Sequence, residues 1–192
     1  MLDAGRGDAA ARGLELAWEE GDAEALPYPD GHFDVVLSCV GVMFAPHHQT
    51  AADEIVRVAR PGGTMALINW TPEGFIGQML AVMKPYTPAP PPSASPPAMW
   101  GSSDHVQERF GTAMGGLTSA REHAHVAGFD SGAQLRDFLK ANYGPTIMVF
   151  AALADQPHRA AELDGALAEL GDRYLRDGQM EWEYLLTTAT RS

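Results

Sequence analysis

The sequence predicts an α/β fold whose sheet is built mainly from parallel strands, and three segments between residues 33 and 68 predict it. Phe33 to Leu37 is an apolar run broken only by Asp34 and preceded by the turn-forming Pro29-Asp30-Gly31, which suits a strand covered on both faces. Ala52, Ile55, Val56 and Ala59 recur at helical spacing from Thr50 to Ala59, with Thr50 and Asp53 as a capping pair. Pro61 then stops the helix, Gly62-Gly63 turns the chain, and Met65 to Ile68 is again short and apolar. A strand, a helix and a second strand in that order make a crossover unit, the building block of parallel sheets.

Composition narrows the function. The chain has 192 residues, 45% of them hydrophobic, enough for one domain with a sizeable core. Lys and Arg number 13 against 25 Asp and Glu, a net charge of −12. That balance repels a polyanion, so nucleic acid is excluded as the main partner. Cys39 is the single cysteine, so no internal disulfide forms, no metal constellation is expected, and a reducing cytoplasm fits. The sequence contains neither a basic segment followed by an apolar run near Met1 nor 18 consecutive apolar residues. Neither a leader nor a membrane span is therefore expected.

The remaining elements follow in order. Leu14, Leu16 and Trp18 alternate with polar or small residues, the period of a half-buried strand. Gly74 to Met83 places Phe75, Met79, Leu80 and Met83 on one helical face. The proline-rich Pro85 to Pro97 can hold neither a helix nor a central strand, and predicts a semi-extended loop. A short helix is expected over Asp104 to Phe110 with Ser103 as its cap, and a strand over Thr118 to Val126. Gln134 to Asn142 and Ile147 to Ala154 predict helices separated by Gly144-Pro145. Leu163, Leu167, Leu170 and Tyr174 share one face of a helix from about Pro157 to Arg176. Met180, Trp182, Tyr184 and Leu186 form a last strand.

Three strings carry a more specific signal: Gly21-Asp22-Ala23-Glu24-Ala25-Leu26-Pro27, then Phe33-Asp34-Val35-Val36, then Arg60-Pro61-Gly62-Gly63 before a strand. In this order and spacing they resemble the middle of a class I S-adenosylmethionine (SAM) dependent methyltransferase of the ubiquinone/menaquinone-biosynthesis type. The resemblance implies a Rossmann-like sheet in the strand order three, two, one, four, five, seven, six, with an antiparallel C-terminal strand. It also implies SAM as cofactor and a small-molecule acceptor. Asp22 would receive the adenine amine, the Ala23 backbone N–H would meet the ring, and Leu26 would form an apolar wall; alternatively Asp22 merely caps a turn over Ala23 to Leu26. Ser38 and Cys39 would lie at the carboxyl end of the Phe33–Leu37 strand, where ligands bind in open sheets. Met43, Phe44, Trp70, Phe75 and Met79, with Trp100, suggest an apolar acceptor lining, although all six also suit a core. Cys39 reads as a small buried hydrophobe rather than a nucleophile. His47 is the one candidate general base, its unperturbed pKa being near 6.5; the alternative makes His47 and His48 exposed cap residues.

Residues 1–13 do not complete that family pattern. Met1 to Gly7 superficially resembles a first strand and glycine loop, but the stretch from Gly5 to Asp22 cannot hold the intervening helices and strands. The simpler reading is a helix end over Ala4 to Arg12 closed by Gly13, leaving the sheet incomplete in its N-terminal half. The Phe33–Leu37 strand would then be an apolar sheet edge, open to pairing with a second copy or another chain. The division expected is a cofactor-side half (1–84), a proline-rich loop (85–103) and a half that shapes the acceptor pocket (104–192).

Overall fold

The computed structural model describes residues 2–192. Four strands form one sheet in the order β1 (Phe33–Cys39), β2 (Ala59–Trp70), β4 (Gln179–Arg191), β3 (Met114–Ala127). β1 and β2 are parallel, and β4 is antiparallel to both β2 and β3. β1, β2 and β3 therefore share one direction and β4 alone opposes them. This is the four, five, seven, six portion of the strand order expected above, mainly parallel with an antiparallel final strand. All three carboxyl ends, at Cys39, Trp70 and Ala127, lie at one end of the sheet.

The β1–α2–β2 unit forms as the sequence pattern requires. Helix α2 (His48–Val58) begins two residues before Thr50, with His47 at its N-cap. It buries Ala51, Ala52, Ile55 and Val58 against the sheet. β2 starts at Ala59, but its ladder to β1 jumps from Phe33–Ala59 to Val35–Thr64. Pro61 has no N–H to donate and Gly62 sits at φ 75°, so this stretch bulges before regular pairing resumes.

Two cores flank the sheet. The first lies under α2 and α4 (Ser103–Phe110), where Met43, Met65, Leu67, Trp100, Val106 and Phe110 are buried. The second is formed by α3 (Phe75–Met83), α5 (Gly132–Asn142), α6 (Gly144–Ala152) and α7 (Pro157–Tyr174) around Phe75, Met79, Leu135, Leu163 and Met180. A 3-10 turn at Pro97–Gly101 carries Trp100 into the first core. A Cβ on Gly101 would fall 2.1 Å from the Trp70 carbonyl oxygen, so only glycine lets this turn press against the end of β2.

Several sequence expectations are corrected. Leu14 to Trp18 is not a strand: it pairs with nothing, and Leu14 and Leu16 are 54% and 56% exposed. Alternation favours a strand only where a neighbour supplies the ladder, and among the described residues no strand lies on the outer side of β1. Helix α1 (Leu2–Ala11) occupies the expected N-terminal helix, and Gly13 follows it at φ 66°. The cap of α4 is Ser102 rather than Ser103. Gly144-Pro145 opens α6 instead of only breaking the chain, because proline's fixed φ and missing N–H suit a helix start. As expected, β1 is an edge, and Val35 and Leu37 on it are 51% and 71% exposed.

Candidate functional site

The Gly21–Pro27 segment is held at the carboxyl end of β1 by α2. Asp22 Oδ1 accepts the Glu24 N–H at 2.9 Å and the Asp22 carbonyl accepts the Ala25 N–H at 3.0 Å, so Asp22 does cap its own turn. Its carboxylate remains exposed. Glu24 then bridges to the start of α2: Oε1 accepts the His47 N–H at 2.6 Å and Oε2 lies 2.8 Å from His47 Nδ1. The Leu26 N–H donates to Glu54 Oε2 at 2.6 Å. Arg57 donates to both Glu54 oxygens, to the carbonyls of Leu26 and Tyr28, and to Asp30. Charge-assisted bonds of this number fix a loop that has no ladder of its own.

These contacts set the protonation states. The two hydrogen bonds from His47, the backbone one first, hold Glu24 below the usual carboxylate range. The Glu24 carboxylate in turn raises His47. His47 Nε2 lies 3.4 Å from the Pro92 carbonyl, which can only accept. With Nδ1 on a carboxylate and Nε2 facing a carbonyl, both contacts favour the imidazolium form of His47. Ser95 adds a bond from its N–H to the Pro46 carbonyl, so the proline-rich loop is tied down beside α2.

His48 is not the exposed cap residue of the alternative reading. It is 2% exposed, with Nδ1 2.9 Å from His105 Nε2 and its ring 5.3 Å from Trp100. Burial, then the neighbouring His105 and Arg109, push it down to about 4. Cys39 also departs from its buried reading, since it is exposed at the tip of the edge strand. Ser38 Oγ accepts the Val42 N–H at 2.9 Å. Between them, Val40 stands at φ 57°, a costly conformation for a β-branched residue and one that clusters at ligand sites.

The apolar lining is divided by the structure. Met43 and Trp100 are fully buried in one core and Phe75 and Met79 in the other. Phe44 is 41% exposed, and Trp70 is half-buried at the end of β2, edge-on to Trp182 and Tyr184. Near Trp70 a cleft of about 650 Å³ opens between the Glu73-Gly74 turn, the paired ends of β3 and β4, and the end of α7. Sequence reasoning missed Glu24, Glu54 and Arg57, whose only signal was that Glu24 belongs to the Gly21–Pro27 string. It also missed the cleft residues, which meet across long stretches of chain.

A family model described as "Methyltransferase domain" matches residues 1–67. An uncharacterized protein of Mycobacterium tuberculosis, Rv1405c, is 49% identical over 191 residues, covering 100% of this chain and 70% of that protein. The demethylmenaquinone methyltransferase of Thermus thermophilus is 42% identical over 72 residues, 38% of this chain and 33% of its own length. The chain belongs to the class I SAM-dependent methyltransferases. Solved structures share the fold of this methyltransferase: the YcgJ protein of Bacillus subtilis superposes with a TM-score of 0.59 at 16% identity, over 100% of this chain and 78% of that one. MccD protein gives 0.53 at 16%, over 100% and 75%. No helix among the methyltransferase's described residues is long and apolar enough to cross a membrane.

The residues present fit one end of the cofactor. Asp22 offers an exposed carboxylate for an amine, and Ala23 and Leu26 are half-buried beside it, which suits a flat heterocycle against an apolar wall.

Proposed function

We propose that this chain supplies the adenine-side wall and the acceptor side of a site for direct methyl transfer from SAM to a small molecule in the cytoplasm. Bound SAM supplies an electrophilic methyl group on a sulfonium. Asp22 and the Ala23 N–H hold the adenine edge, Leu26 covers it, and Ser38 and Cys39 mark the strand tip beside it. Displacement at a methyl group needs alignment and exclusion of water more than a covalent catalyst, and positioning alone supplies several kcal/mol. His47 is a poor general base while it remains an imidazolium held by Glu24; it acts here as a positioning residue that fixes the α2 end of the site. Residues 1–84 form the cofactor-side half, 85–103 the proline-rich loop, and 104–192 the half that shapes the acceptor pocket.

The observation that carries this reading is the Gly21–Pro27 string pinned to the start of α2 at the carboxyl end of the parallel β1–β2 pair. Calorimetric titration with SAM tests it. One-to-one binding that Asp22→Ala weakens about tenfold, a loss of about 1.4 kcal/mol, is the expected result. No heat at millimolar SAM, or equal binding by Asp22→Ala, overturns it.

A second reading is favoured by the exposed apolar edge at β1. There the chain is a non-catalytic module that pairs with a second copy through Val35 and Leu37. Sedimentation distinguishes the two: on this reading the protein is a dimer and Leu37→Lys converts it to a monomer. A monomeric parent sinks the idea.

A further inference from the structure

The cleft at the end of β2 is lined on one side by β3 and β4, where His123 and His125 face Glu183 and Glu181 across the ladder. On the other side are the Glu73-Gly74 turn and, at the end of α7, Arg173 and Arg176. Its volume of about 650 Å³ lies within the range of about 300–1,000 Å³ typical of small-molecule sites. It opens at the same end of the sheet as Ser38 and Cys39, because β1, β2 and β3 all finish there.

The charges inside it are unevenly matched. Arg121 donates to Glu73 Oε2 and to Glu183 Oε1, each at 3.0 Å, and Thr71 Oγ1 donates to Glu183 Oε1 at 2.7 Å. Glu73 and Glu183 are thereby fixed in place, with the single charge of Arg121 shared between two carboxylates. Glu181 faces His125 at 3.5 Å and is largely exposed. Tyr174 Oη donates to the Glu73 carbonyl at 3.0 Å, tying the end of α7 to the turn. Arg173 pairs with no carboxylate among the described residues. Among the described residues, the Arg176 side chain reaches only the carbonyls of Asp172 and Leu175. Cations are favoured at the end of a helix, which explains Arg173 on α7 but not Arg176, which lies beyond it. It explains neither the two imidazoles opposite nor the cavity between. In a chain with nearly twice as many acidic as basic residues, two guanidinium groups without carboxylate partners on one cleft form a local receptor for negative charge.

We infer that this cleft binds the acceptor, and that the acceptor is a small organic molecule carrying an anionic group, carboxylate or phosphate, received by Arg173 and Arg176. The word acceptor rests on the methyltransferase reading above; the anion site does not. The guanidinium forks hold the anion, while the fixed Glu73 and Glu183 carboxylates repel it from the β-strand wall and orient the rest of the molecule toward the strand tips. His123 and His125 supply hydrogen bonds along that wall.

The test is calorimetric titration of the full chain with sodium benzoate and with inorganic phosphate, at low and high salt. One of the two probes saturates one site in the millimolar range, and its identity assigns the anionic group. Arg173→Gln and Arg176→Gln each weaken that probe at least fivefold, whereas Arg159→Gln, also on α7 but not on the cleft, leaves it unchanged. Circular dichroism melts confirm that the variants fold. Failure of both probes to saturate, or binding by the two cleft variants as tight as that of the unsubstituted protein, overturns the inference. If a probe binds and SAM does not, the anion site stands and the methyltransferase reading falls. If SAM binds and neither probe does, the reverse holds.

Discussion

Replacing Trp100 with alanine is expected to destabilise the fold by about 3–5 kcal/mol, as for other large aromatic truncations in cores. Trp100 is fully buried, and its ring lies 5.3 Å from His48, 6.2 Å from His105 and 6.0 Å from Phe110. It comes from a short 3-10 turn that Gly101 presses against β2, so the turn has little freedom to collapse into the space left behind. Its Nε1 has no hydrogen-bond partner among the described residues; the loss is therefore one of packing and cavity formation, not of a polar bond. Domains are stable by only about 5–15 kcal/mol, so a large share of that margin disappears. Urea denaturation measures the change, and Trp100→Phe should recover most of it. A Trp100→Ala loss below about 1 kcal/mol would show that the first core does not depend on this ring.

The second large effect is a loss of stability in mild acid. His48 is neutral when folded and titrates near 4, whereas an unfolded histidine titrates near 6.5. Between those values the unfolded chain binds a proton that the folded chain refuses, so stability rises with pH through that window and is complete above about 6.5. The span corresponds to about 3 kcal/mol. His105, lowered by its own burial, adds to the same slope. Glu24 and Glu54, both held low, lose their contribution only further into acid. His47 has the opposite sign: its raised value stabilises the fold below about 6.5, and that contribution fades as pH climbs through the folded value. Thermal melts from pH 4.5 to 8.5 should show a maximum between these limbs. His48→Gln should flatten the acid limb, and His47→Gln only the alkaline one. An unchanged acid limb in His48→Gln would mean that another group carries the slope.

How much of this was legible in the sequence depended on how local the cause was. The β1–α2–β2 unit, the final strand and most helices declared themselves through periodicity and the turn chemistry of Pro61, Gly62 and Gly63. Leu14 to Trp18 misled because alternation reports a tendency, whereas a strand needs a neighbour. His48 looked like half of an exposed pair because nothing local announces that His105, far along the chain, will lie on its ring. The Glu54–Arg57 clamp on the Leu26 to Asp30 loop is likewise a tertiary event. The apolar residues assigned to the acceptor were mostly core, since a packed interior and a lined pocket use the same side chains. His123 and His125 lie on β3 while Arg173 and Arg176 lie at and just past the end of α7, so no spacing rule could have brought the two pairs together.

The sheet order carries a consequence for how the polypeptide is made. β4 follows β1, β2 and β3 in the chain, yet it occupies an interior position, flanked by β2 on one side and β3 on the other. Until β4 leaves the ribosome, β2 and β3 wait with bare hydrogen-bonding rows on the sides it will fill, and the two cores have no common floor. The sheet therefore gains most of its cohesion in one event, the arrival of β4, and the interval before it is when chaperones matter most.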